Sequence, residues 1–112
     1  MLIFKILRAP EMAELQSAGE TQGAPIDVTD GFIHFSTAAQ VAETAALHFA
    51  GEDGLSLLAY DTDGLGDALK WEVSRGGQEF PHLFAPLRLA NALWVKPYPL
   101  GPNGHELPEG VE

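Results

Sequence analysis

The chain has 112 residues, of which 46% are hydrophobic and 20% are charged, a composition typical of one folded domain rather than a disordered segment. Its 6 basic and 16 acidic residues give a net charge of −10, which argues against DNA or RNA as a partner because nucleic acids are bound through lysine and arginine. Cysteine is absent, so disulfides and thiolate zinc sites are excluded. Without a long apolar run or a signal-peptide core, we expect a cytoplasmic protein that does not bind a membrane.

Local patterns predict several strands and two early helices, which is an α+β rather than a repeating βαβ arrangement. Pro10 suits the first turn of a helix, and Gly19 suits its end. The predicted elements are, in chain order, a strand over residues 2–7, a helix from Pro10 to Gly19, a connection over 20–30 with a short strand at 26–28, a short strand around His34, a helix over 38–49, and strands over 55–60, 69–74 and 92–95. We expect a single domain over residues 1–112, with a core over about 2–96 and an irregular Pro/Gly-rich tail over 97–112.

The octapeptide at residues 30–37 combines a glycine turn, a buried strand that carries His34, and a hydroxyl pair that can cap a helix. Thr37 and Gln40 fit the Ser/Thr-x-x-Glu/Gln capping box. A histidine, the Ser36 hydroxyl and free helix N–H groups at one junction suit an anionic or ribose-bearing ligand. The alternative for His34 is a core histidine whose ring nitrogens are bonded to the backbone.

A second histidine, His82, lies in a similarly apolar frame directly after a proline. The alternative interpretation of His82 is a structural one, in which it lies in a loop and hydrogen-bonds neighbouring carbonyl groups. Glu72 lies on the polar face of its predicted strand, beside Trp71, which we expect in the core. In the functional interpretation Glu72 accepts a hydrogen bond from a ribose hydroxyl or polarises a substrate. In the alternative it belongs to a solvated or salt-bridged strand face. His34, His82 and Glu72 supply two imidazoles and a carboxylate, which are ligand types of metal sites. Their positions in the sequence match no closely spaced metal-binding motif, so no metal is expected.

Three segments in this order resemble a bacterial family known as domain of unknown function 952, namely residues 30–37 (DGFIHFST), 69–72 (LKWE) and 80–87 (FPHLFAPL). The resemblance extends from Ile3 to about Val95. That family is similar in fold to the ADP-ribosyltransferase superfamily, so the resemblance implies a small domain with a split, bent, mainly antiparallel sheet. In that superfamily a strand of the type His-Ile-His-Phe-Ala lines the nicotinamide pocket, and residues 32–36 look like that strand.

The resemblance implies a protein that binds, or binds and turns over, NAD or an ADP-ribose-like nucleotide. The candidate catalytic residues are His34, Glu72 and His82, and the candidate cofactor contacts are Lys5, His34, Ser36 and Thr37. The rival class is a non-enzymatic ligand-sensing or protein-interaction module, which is favoured because Phe4 and Lys5 stand where the superfamily commonly carries Tyr-His. A two-histidine metal hydrolase is a third alternative. The sequence leaves the oligomeric state open.

Overall fold

The computed structural model describes residues 1–111 and contains three α-helices and eleven strands within that part of the chain. The helices are α1 (Ala9–Ala18), α2 (Pro25–Asp30) and α3 (Val41–His48). The strands are β1 (Leu2–Leu7), β2 (Glu20–Thr21), β3 (Ile33–His34), β4 (Ser36–Thr37), β5 (Leu55–Asp61), β6 (Leu69–Val73), β7 (Glu79–Leu83), β8 (Leu87–Arg88), β9 (Trp94–Tyr98), β10 (Leu100–Gly101) and β11 (Gly104–His105). No helix among these residues is long and apolar enough to cross a membrane.

Two antiparallel sheets build the domain. The larger sheet has the order β4-β1-β5-β9, the smaller sheet has the order β3-β7-β6, and β2–β8 and β10–β11 form short ribbons. The predicted α+β class and mainly antiparallel pairing are therefore confirmed. β3 belongs to the smaller sheet and β4 to the larger one, so the chain crosses between the sheets at Phe35.

The larger sheet is buried on both faces because the side chains of a strand alternate between them. In β1, Ile3 and Leu7 pack in one core cluster, which also receives side chains from α1. Phe4 and Ile6 pack in a second cluster, which is covered by α3. The strand predicted at residues 2–7 is confirmed.

The first helix is also confirmed, and it begins one residue before the predicted Pro10. Proline is tolerated there because the first N–H groups of a helix have no partner within it. Gly19 ends α1 with a φ of 80°, and its N–H donates a hydrogen bond to the Leu15 carbonyl at 2.9 Å. Glycine adopts this left-handed conformation without the steric cost of a Cβ.

Helix α2 replaces the short strand predicted at residues 26–28, so that prediction is wrong and the helices number three within residues 1–111 rather than two. Pro25 fits the first position of a helix, and the carboxylate of Asp27 accepts the N–H of Ala24 at 2.8 Å. Gly31 ends the helix with a φ of 84°. Ile26 and Val28, the two apolar side chains that suggested a strand, are exposed to solvent.

Helix α3 begins at Val41, three residues after the predicted start at Ala38. Thr37 is instead held in β4 by pairing with β1. The side chain of Gln40 accepts the Thr37 N–H at 3.1 Å, which is half of the predicted capping box, and it donates to the Glu79 carbonyl at 2.9 Å. Pairing with other parts of the fold therefore delays the start of this helix.

The strand predicted at residues 69–74 is confirmed as β6, but Trp71 is not in the core. β6 lies at an edge of the smaller sheet, and 39% of Trp71 is exposed. Alternation with polar neighbours predicts a core-facing side chain, whereas an edge strand leaves much of its apolar face uncovered.

The C-terminal tail contains more regular secondary structure than its proline content predicts. β9 continues to Tyr98, and a short hairpin of β10 and β11 follows. Tyr98 is buried in the second core cluster, and Val111 packs against that cluster. The ammonium group of Lys96 donates to the Glu109 carbonyl at 2.6 Å. Part of the predicted tail therefore contributes to the core.

Candidate functional site

The antiparallel pairing of β3 and β7 places His34 directly opposite His82. Both side chains therefore project from one face of the smaller sheet, and their ring centroids are 5.4 Å apart. Phe32 packs against both rings, with its centroid 4.2 Å from that of His82 and 4.5 Å from that of His34. His82 lies in a strand, so its interpretation as a loop residue after Pro81 is wrong. The structure brings the two candidate histidines together.

A buried carboxylate that the sequence analysis missed, Asp27, orients His34. Its Oδ1 lies 2.6 Å from Nδ1 of His34 and accepts the His34 backbone N–H at 2.9 Å. Its Oδ2 accepts hydrogen bonds from the Lys5 ammonium group and the Ala24 N–H, both at 2.8 Å. Four donors therefore fix this carboxylate below the histidine. Pro25 followed two residues later by an aspartate was the available signal, because acidic residues favour the first turn of a helix.

These contacts set the charge of Asp27. Burial raises the pKa of Asp27, but the hydrogen bond from His34 and the charge of Lys5 outweigh burial and lower that pKa to about 2. Burial lowers the pKa of Lys5, and the neighbouring Asp27 acts in the opposite direction. Asp27 is therefore a carboxylate at neutral pH, and Nδ1 of His34 is its N–H donor.

The structure places Lys5 beneath the site. Its ammonium group donates to Asp27 and also to the His34 carbonyl at 3.0 Å. Two of its three donors are therefore engaged with the protein. Lys5 lines the cleft described below, but its contacts make it a support for Asp27. Its predicted role as a cofactor contact stays a prediction.

Glu72 holds the second histidine from the neighbouring strand. Its Oε1 lies 2.7 Å from Nδ1 of His82, and the Glu72 side chain is partly exposed whereas that of His82 is buried. Among residues 1–111, Nε2 of His82 has no hydrogen-bond partner, while Nε2 of His34 lies 3.0 Å from Oδ2 of Asp30. Each imidazole is thus oriented by a carboxylate at Nδ1, and Nε2 is the atom left for a ligand at His82.

The two hydroxyl residues predicted as cofactor contacts have different positions. Ser36 lines the cleft, and its Oγ lies 2.9 Å from Oγ1 of Thr44. Thr44 donates its own proton to the Gln40 carbonyl at 3.1 Å, so Ser36 is the donor in that pair and its proton is not free for a ligand. Thr37 is paired within β4 and is not a lining residue of the cleft. The structure does not bring Thr37 to the site.

A cleft of about 700 Å³ runs along the face that carries the histidines. This volume is within the range of small-molecule and cofactor sites. Besides His34 and His82 it is lined by residues of β1, the start of α2, α3 and the β6–β7 turn, among them Phe4, Lys5, Ile6, Arg8, Ala24, Phe35, Ser36, Thr44, Phe49, Arg75 and Phe80. Within residues 1–111, no three histidine or carboxylate side chains are grouped so that they could hold a metal ion.

The chain belongs to the family described as Protein of unknown function (DUF952), whose model matches residues 6–95. It is 42% identical to protein CC0527 from Caulobacter crescentus, whose crystal structure superposes with a TM-score of 0.89 over 94% of this chain and 92% of that one. The solution structure of the same protein gives a TM-score of 0.82 at 42% identity, over 93% and 90% of the two chains. No curated protein shows significant similarity to this chain.

Proposed function

We propose that the cleft binds a nucleotide of the NAD or ADP-ribose type and that His34 and His82 act on it as an acid–base pair. The observation that carries this proposal is the facing pair of imidazoles, each oriented at Nδ1 by a carboxylate, in the wall of a cleft of about 700 Å³. An imidazole fixed through one nitrogen presents the other nitrogen in a defined direction for proton transfer. As the glycosidic bond of NAD breaks and nicotinamide leaves as a neutral base, one histidine accepts the proton that the attacking water loses, and its neighbour donates a hydrogen bond to the nucleotide.

The choice of nucleotide depends on the resemblance of residues 32–36 to the nicotinamide-lining strand of the ADP-ribosyltransferase superfamily. Charge distribution around the histidines supports it. Cleavage of a glycosidic bond develops positive charge on the sugar ring, and nearby carboxylates stabilise such charge. Asp27, Asp30 and Glu72 all lie within 3.0 Å of a histidine nitrogen, which suits that chemistry.

A non-enzymatic ligand-sensing module is the second candidate, and one contact favours it. Both ring nitrogens of His34 face carboxylate oxygens, at 2.6 Å from Asp27 and 3.0 Å from Asp30. A histidine bonded at both nitrogens links the strand to α2 and holds no free acid–base group. In this alternative the cleft binds the same nucleotide but does not convert it.

The test uses the variants H34N and H82N. An asparagine nitrogen takes approximately the position of Nδ1, so each variant keeps the bond to its carboxylate and loses Nε2. We expect NAD or ADP-ribose at about 100 times Kd to stabilise the wild type by roughly 2.7 kcal/mol, a shift of several degrees in Tm. Release of nicotinamide from NAD, followed by chromatography, measures turnover, and H105Q, outside the cleft, serves as the matched control.

Three results separate the candidates. Loss of nicotinamide release in H34N and H82N, with the nucleotide-induced Tm shift retained, supports the acid–base pair. A Tm shift in the wild type without any release of nicotinamide supports the sensing module. The absence of a Tm shift with either nucleotide at millimolar concentration contradicts nucleotide binding altogether.

A further inference from the structure

The turn between β6 and β7 carries an arginine that folds back over the cleft. Gly76 and Gly77 have φ angles of 68° and 77°, a left-handed conformation that glycine adopts readily. The N–H of Ser74 donates to the Gln78 carbonyl at 2.8 Å, which closes the turn. The glycine pair thus reverses the chain directly after Arg75, and Arg75 becomes a lining residue of the cleft.

The guanidinium group of Arg75 is held in place from two sides. Its central carbon lies 4.9 Å from the centroid of the Phe80 ring, a cation–π distance. Its Nη2 donates to Oγ1 of Thr44 at 3.2 Å. Thr44 is in turn fixed by Ser36 and by the carbonyl of Gln40, directly before α3. The group is therefore positioned before any ligand arrives.

Within residues 1–111, one hydrogen bond engages the guanidinium group of Arg75. Guanidinium has five N–H groups, and the bond to Thr44 uses one of them. The Nε atom is buried without a hydrogen-bond partner in the part of the chain that the structure describes. It lies 3.2 Å from Oε1 of Glu43, but that carboxylate is mostly exposed and is not aligned for a hydrogen bond. The Arg75 side chain is 26% exposed, so an acceptor from outside the chain reaches the guanidinium group through its Nη N–H groups rather than through the buried Nε.

Two other cations that line the cleft are already occupied. Lys5 is bonded to Asp27 and to a backbone carbonyl. Arg8 forms a two-pronged pair with Glu52, with bonds of 2.7 and 3.0 Å. Arg75 differs from both because its contact with Glu43 involves Nε alone and a carboxylate that is 62% exposed, so within residues 1–111 its Nη groups form no ion pair. The guanidinium fork matches two oxygens of a phosphate group.

We propose that Arg75 is the anchor for a phosphate group of the ligand. Phe80, on which the guanidinium rests, and His82 are two residues apart on the same face of β7, a separation of about 7 Å along the strand. A phosphate on Arg75 therefore places the neighbouring sugar of a nucleotide beside the histidine pair. The assignment rests on the proposed function of the same cleft and names a phosphate or pyrophosphate ester as the recognised class.

Calorimetric titration of the full chain tests the anchor with three probes, which are pyrophosphate, ADP and adenosine. We expect saturable binding of ADP and of pyrophosphate, and much weaker binding of adenosine, which lacks phosphate. R75Q should weaken ADP binding by about 10- to 100-fold, the range that follows from losing charge-assisted hydrogen bonds. R75K keeps the charge without the fork and should fall between R75Q and the wild type.

The matched control is R88Q, because Arg88 is exposed, lies outside the cleft and, within residues 1–111, forms its one ion pair with Glu20 at 3.7 Å. Unchanged ADP binding in R75Q, equal binding of ADP and adenosine, or no binding of either phosphate-bearing probe to the wild type would each overturn the anchor. Circular dichroism and Tm confirm that each variant folds. If ADP binding depends on Arg75 while NAD shows no turnover and no dependence on His34 or His82, the anchor stands and the acid–base proposal alone fails.

Discussion

The ammonium group of Lys5 donates a hydrogen bond to the carboxylate of Asp27 at 2.8 Å, and only 6% and 0% of the two side chains are exposed. This pair joins β1 of the larger sheet to α2. Asp27 also bonds His34, and Lys5 also bonds the His34 carbonyl, so the smaller sheet is attached through the same two side chains. The candidate site is therefore built on a buried ion pair that connects three elements.

We expect K5M to destabilise the domain by about 3–5 kcal/mol, because removing one partner of a buried pair leaves the other charge without compensation. Methionine has a similar length and volume, so loss of packing contributes little. Urea unfolding measures the change, and K70M, at an exposed lysine of β6, should alter the free energy of unfolding by less than about 0.5 kcal/mol. Equal stability of K5M and the wild type would show that the pair does not hold the two sheets together.

Protonation of Asp27 should lower the free energy of unfolding at acid pH. The folded-state pKa of Asp27 is about 2, below the usual aspartate value of 3.8, so the folded protein holds this proton more weakly than the unfolded chain. The resulting stabilisation of about 2 kcal/mol is fully present above the unfolded pKa and is lost as pH falls from about 4 to 2. Urea unfolding between pH 5 and pH 2 measures it, and D27N should lack this part of the pH dependence.

The position of the Asp27 side chain requires a glycine at residue 23. Its φ is 95°, and a Cβ built at this position would lie 2.8 Å from Cγ of Asp27, so a side chain there must displace the carboxylate. Gly19 has a similar φ of 80° but has no atom within 4 Å of a Cβ. G19A should therefore cost only the left-handed backbone penalty of about 1–2 kcal/mol, whereas G23A should cost clearly more. Similar losses in the two variants, measured by thermal unfolding, would argue against this contact.

Elements that depend on local pattern were predictable from the sequence. β1, α1 and β6 have bounds within a residue or two of those predicted, because alternation, Pro10 and Gly19 act over a few positions. His34 and His82 were also found, since histidines in apolar frames are unusual. Their pairing across β3 and β7 was not predicted, because the sequence analysis assigned no strand to residues 79–83.

The part of the candidate site that the sequence does not predict depends on contacts between residues that are separated in sequence. Asp27 lies 22 residues from Lys5 and 7 from His34, and its short helix carries exposed apolar side chains that imitate a strand. The sequence predicts Trp71 in the core because alternation does not distinguish an edge strand from a central one. Arg75 depends on a glycine turn whose direction no local pattern specifies.

The contribution of the C-terminal segment to the core can be measured at Tyr98, which is 1% exposed. Y98A should destabilise the domain by about 3–5 kcal/mol, the range for removing a large buried aromatic side chain. L93A removes a side chain that is mostly exposed and should cost much less. If chemical denaturation finds Y98A no less stable than L93A, the strands after residue 96 do not pack as described.

Two substitutions of His34 separate the stabilisation that comes from its Nδ1 hydrogen bond from the stabilisation that comes from its ring. H34A leaves Oδ1 of the buried Asp27 without its ring donor, which should cost about 1–3 kcal/mol, although the backbone N–H of residue 34 remains. H34N supplies a nitrogen near the position of Nδ1 and should recover most of that loss. Unfolding in urea at pH 7 gives both values, with Asp27 ionised throughout. Equal destabilisation by H34A and H34N would mean that the ring, and not its Nδ1 bond, stabilises the fold through its 4.5 Å contact with Phe32.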